Sequence, residues 1–80
     1  MKLPDMRTIF PILGIDGETT TLTLEKWIAD LLHKKFDNVH RFIEDVFQDA
    51  QEKYPELSRR AQGDHVRYIC FKEVEELVDF

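Results

Sequence analysis

One cysteine, three glycines and three prolines are all that this 80-residue chain has of those residue types. A single thiol excludes an internal disulfide and a cysteine-rich zinc site. Cys70 lies on an apolar stripe between Ile69 and Phe71, which marks it as a buried, inert thiol rather than a nucleophile. Ser58 is the one serine, and nothing around it suits a catalytic triad. His33, His40 and His65 fall at no i, i+3 or i+4 spacing, and no cysteine or carboxylate cluster completes a ligand set, so they read as solvated side chains. Gly17 has no phosphate-loop spacing around it. No apolar run is long enough to span a bilayer. Met1-Lys2-Leu3-Pro4-Asp5 lacks the apolar stretch of a signal peptide. The expectations are no enzyme, no metal, no cofactor, no membrane and a cytoplasmic location.

What is present is a core. The chain is 42% hydrophobic with six phenylalanines, enough for one folded domain over residues 1–80. A domain this small buries only about 60% of its unfolded surface. The formal charge is −5. Residues 1–40 carry five Lys/Arg against six Asp/Glu, and residues 41–80 carry six against ten. The second half is therefore the acidic one. Its face of Glu73, Glu75, Glu76 and Asp79 reads as solvated surface, or as a surface for a basic protein partner.

Residues 1–6 have no period and are expected to fray. Ile9, Phe10, Ile12, Leu13 and Ile15 form an apolar, partly β-branched run. Pro11 restricts it to an edge strand or extended lead-in. Asp16-Gly17 is a turn signal. Leu22 and Leu24 then alternate with Thr21 and Thr23, the period of a strand with one apolar face. These features predict a hairpin between residues 8–15 and 18–24.

From Leu24 the period becomes helical: Leu24, Trp27, Ile28, Leu31 and Leu32 make one stripe. Helix 1 is predicted over residues 25–35. Trp27 and Phe36 read as core, or as a subunit interface. Asp37 or Asn38 can cap helix 2, predicted over residues 39–53 with a stripe of Val39, Phe42, Ile43, Val46, Phe47, Ala50 and Tyr54. Pro55 stops it. Residues 55–62 read as a turn and loop ended by Gly63. Asp64 then caps helix 3 over residues 65–78, with a stripe of Val66, Ile69, Cys70, Val74, Leu77 and Val78.

Ile15-Asp16-Gly17, then Thr20-Thr21-Leu22-Thr23-Leu24-Glu25, then Trp27, resembles the bacterial ribbon-helix-helix family. Asp64-His65-Val66-Arg67-Tyr68-Ile69-Cys70-Phe71 resembles that family's third segment. The similarity covers roughly residues 12–74 through a short motif. It implies a mainly α fold with an N-terminal β-ribbon or hairpin: ribbon-helix-helix, then a third helix. It further implies a homodimeric regulator of transcription whose paired strands enter the major groove of double-stranded DNA. Carried over by position, Thr21, Thr23 and Glu25 face the groove, and Asn38, Val39 and His40 clamp a phosphate. Lys34 and Arg41 supply further phosphate contacts, with Lys26 and Lys35.

The sequence departs from the family where cations are needed. Its outward strand residues are Thr, Thr and Glu, and its inter-helix turn is Phe36-Asp37-Asn38. A second reading therefore stands beside the first: a non-enzymatic protein-interaction module, with an intramolecular hairpin packed on three helices and an acidic binding face.

Overall fold

A computed structural model of the chain describes residues 7–77. Strands β1 (Arg7–Leu13) and β2 (Thr19–Glu25) precede helices α1 (Lys26–Lys35), α2 (Val39–Lys53) and α3 (Arg59–Glu75). A hairpin followed by three helices is the expected fold class. The expected fraying of residues 1–6, and the positions Val78 and Asp79, lie outside the described residues.

The strands pair antiparallel within the chain, from Arg7 opposite Glu25 to Leu13 opposite Thr19. Alternation sends Phe10, Ile12, Leu22 and Leu24 into the core. The other face carries Ile9, Pro11 and Leu13 opposite Thr23, Thr21 and Thr19. The connection spans residues 14–18, longer than a two-residue Asp-Gly turn. Ile15 is drawn out of the ladder, because its N–H donates to Gln51 Oε1 on α2 at 2.9 Å. Gly17 takes the left-handed conformation (φ +82°) that its lack of a Cβ permits.

The β1 edge is closed by one face of α2. His40 Nε2 donates to the Pro11 carbonyl, Gln48 Nε2 donates to the Leu13 carbonyl at 2.8 Å, and the Leu13 N–H donates to Glu44 at 2.8 Å. The spacing of 40, 44 and 48 places all three on one helical stripe. His40 is thus a strand cap, where the sequence suggested a solvated ring. These bonds also show that odd-numbered β1 residues turn their backbone groups away from β2. Pro11 is one of them, so its missing N–H costs the ladder nothing.

Helix α2 begins and ends where its punctuation places it. Asn38 caps it through a 2.9 Å bond from the Arg41 N–H, and Pro55 follows its end. Helix α3 starts six residues earlier than the sequence suggested. Ser58 is its cap, accepting from Ala61 N–H at 3.1 Å. Gly63 lies inside the helix, buried, and Asp64 caps nothing. Gly63 faces Leu22, where a Cβ would stand 3.6 Å from Leu22 Cδ1. Packing on the sheet carries the helix through a residue that usually punctuates one.

Ile12, Leu32, Ile43, Phe47, Val66, Cys70 and Val74 are fully enclosed between the hairpin and the helices. Three residues of the expected stripes lie outside this core: Trp27, Tyr54 and Leu77 are exposed. Trp27 instead packs edge-on against Phe71, and Phe36 stacks on Phe42 with centroids 4.2 Å apart. Among the described residues no helix is long and apolar enough to cross a membrane.

Candidate functional site

The chain has five arginines and six lysines. Four of the arginines, and none of the described lysines, line one groove. It runs between the outer edge of β2 and α3 as two adjoining hollows of about 300 and about 440 Å³. Arg60 and Arg67 border both hollows. Arg59 stands at one end and Arg7 at the other. On α3 the run Arg60, Gly63, Arg67 falls at i, i+3 and i+7, so the glycine sits between two arginines on one face. The floor is apolar, with Leu22 and Phe47 among its residues.

The hairpin register orients the opposite wall. Odd-numbered β1 residues point their backbone groups outward, so Thr19, Thr21 and Thr23 do the same on the β2 edge. Among the described residues no strand pairs with this edge. Arg67 Nε reaches it, donating to the Thr23 carbonyl at 2.8 Å. Its Nη1 bonds Asp64 at 2.7 Å. Arg59 is held by Asp16 at 2.6 Å and Glu18 at 3.0 Å. The Asp16 carboxyl lies below its ordinary range, chiefly through the Glu18 N–H it accepts and also through the Arg59 charge, against some opposing desolvation.

Arg60 is exposed and forms no ion pair among the described residues. The groove thus gathers four guanidinium groups, with Glu25 and Asp64 in its lining and Asp16 and Glu18 bonded to Arg59, in a chain of net charge −5. Guanidinium groups engage carboxylates and phosphates through two parallel N–H bonds, which lysine cannot do.

Of the residues singled out for DNA, Thr21, Thr23 and Glu25 line this groove, and the others lie away from it. Thr21 and Glu25 are exposed and Thr23 half-buried on the hairpin face turned from the helices. Asn38 spends its side-chain oxygen on the α2 cap, Val39 is buried, and His40 is bonded to Pro11. Arg41 lies 3.5 Å from Asp45, while Lys34 is exposed. Lys26 pairs with Asp30, and Lys35 with Glu73 and Glu76.

The acidic face of α3 is largely neutralised. Lys35 takes Glu73 and Glu76, and Lys72 takes Glu75 at 2.8 Å. These partners raise both lysine pKa values, Glu76 leading for Lys35 and Glu75 for Lys72. Burial, aided by the Glu73 charge, pushes the Cys70 thiol up to about 12. Among the described residues no group of His, Cys, Asp and Glu is placed to hold a metal ion.

The arginine groove was missed because residues 55–62 read as loop, which set Arg59 and Arg60 apart from Arg67. The signal that could have found it is the Arg-x-x-Gly-x-x-x-Arg spacing. The chain matches no protein-family model, no curated protein and no solved structure.

Proposed function

We propose that this protein is a non-enzymatic binding module that captures an anionic partner in the groove between β2 and α3. One observation carries the reading: four of five arginines gather at one groove of a net-acidic chain, and Arg60 among them has no ion-pair partner among the described residues. The site differs from the acidic face suggested by sequence, since the α3 carboxylates there are already occupied by Lys35 and Lys72. The test is fluorescence anisotropy with labelled oligoglutamate against the wild type, Arg60→Gln and Lys34→Gln. The reading expects binding that weakens at least tenfold in Arg60→Gln and is unchanged in Lys34→Gln. Equal effects of the two substitutions would contradict it.

A second reading is a dimeric DNA-binding regulator. The observation that favours it is that Thr21, Thr23 and Glu25 share the hairpin face turned away from the helices. That face also carries Ile9, Pro11 and Leu13, with Ile9 60% exposed, and a single cation for phosphates, Arg7 opposite Glu25. The β2 strand pairs within its own chain, so the hairpin needs no second copy. This reading expects a dimer mass by light scattering, and loss of operator discrimination in Thr21→Ala and Thr23→Ala. A single-chain mass without duplex binding at low salt would exclude it.

A further inference from the structure

We propose that the partner taken by the arginine groove is an extended acidic peptide, added to β2 as a third strand. This rests on the binding-module reading and names its ligand.

The two edges of the hairpin differ in a way that points to strand addition. The β1 edge is closed by the row His40, Glu44 and Gln48. Among the described residues the β2 edge has no such row: Arg67 Nε meets the Thr23 carbonyl there, doing what the N–H of an incoming strand would do. An added strand can displace that side chain, which then turns to the ligand. The backbone groups of Thr19 and Thr21 point to the same side and provide further pairing positions. Main-chain bonds to a sheet edge supply affinity, and alternate side chains supply specificity.

Charge and alternation then define the ligand. An added strand alternates its side chains between two faces. One set points the way of Leu22, toward α3, and meets Arg60 and Arg67 with Arg59 at the end. The other set lies beside Thr21 and Thr23, where β-branched side chains fit. The expected pattern is Asp or Glu at every second position with Val, Ile or Thr between. Its negative charge complements Arg60, which forms no ion pair among the described residues, and is repelled by the acidic remainder of the molecule, which favours this one docking position.

The test uses a fluorescein-labelled peptide of alternating Glu and Val, seven residues long to match β2. Two derivatives carry N-methyl groups, one on every Val amide and one on every Glu amide. Their charge is unchanged, but each lacks the donors of one strand edge. Strand addition expects the parent to bind, and Arg60→Gln and Arg67→Gln each to weaken it at least tenfold. It also expects one methylated derivative, and only one, to lose at least tenfold, because a strand offers β2 one edge. Equal binding of both derivatives, with the arginine dependence retained, would overturn strand addition while leaving anion capture standing. Failure of the parent peptide and of oligoglutamate alike would overturn both. Tighter, Arg60-dependent capture of a DNA duplex would overturn the assignment to peptide.

Discussion

Arg67 donates from Nε to the Thr23 carbonyl at 2.8 Å, tying the third helix to the open edge of the second strand. The bond lies at the surface, and the same guanidinium is shared with Asp64. Water can replace it on Thr23. Arg67→Gln is therefore expected to cost about 1 kcal/mol or less in urea denaturation. A loss well above about 2 kcal/mol would make Arg67 a structural strut and remove its role as a displaceable placeholder.

The two faces of β2 should respond oppositely to substitution. Leu22 and Leu24 are each 2% exposed against the helices. Leu22→Ala and Leu24→Ala should each cost about 2–5 kcal/mol. Thr21→Ala, on the outer face, should stay within about 0.5 kcal/mol. Thermal melts that reversed this order would invert the strand register.

Two glycines should behave differently. At Gly63 an added Cβ meets Leu22 at ordinary van der Waals distance, inside a helix. Gly63→Ala is expected to stabilise by about 0.5–1 kcal/mol, the helical cost of glycine. Gly17 has open space around it but a positive φ. Gly17→Ala should destabilise by about 1–2 kcal/mol. Destabilisation by Gly63→Ala would mean that α3 sits tighter on the sheet than described.

Stability should fall on the alkaline side. The Cys70 thiol is raised from 9.0 to about 12 by burial, then by Glu73. Below pH 9 it is neutral in both folded and unfolded chains, and its contribution is fully present. Between pH 9 and about 12 the unfolded chain loses the proton first, so stability declines as pH rises. Lys35, raised by Glu76 and Glu73, acts in the same direction above its ordinary 10.5. Denaturation midpoints between pH 8 and 11 should drop in the wild type and less in Cys70→Ala. Thiol reagents should label Cys70 only as fast as the chain opens. Rapid labelling of the folded protein would contradict its enclosure.

Local chemistry was legible in the sequence and non-local chemistry was not. The bounds of α2 follow from Asn38 and Pro55, and the buried strand face from the Leu22–Leu24 alternation, because each depends on neighbours in the chain. The start of α3 was misplaced because Gly63 and Asp64 look like punctuation, while Ser58 looked like part of a loop. What overrides the glycine is packing against Leu22, forty-one positions away. The sheet partner of β2 was legible as a hairpin, yet the same Thr-Leu alternation also fits a strand shared between two chains. The capping of β1 by His40, Glu44 and Gln48 needs the α2 face set against the strand. The groove is the same kind of feature: Arg7 and Arg60 meet only after the hairpin has folded onto α3.

The most direct test of the account is an amide map of binding. The ¹⁵N-labelled protein is titrated with the alternating Glu-Val peptide and followed by heteronuclear NMR. The largest shifts are expected at Thr19, Thr21 and Thr23, and across Arg59 to Arg67 on α3. Asn38, Val39, His40 and Arg41 should stay unmoved. Shifts centred on those four residues, with Arg60 and Gly63 silent, would contradict the groove as the binding site.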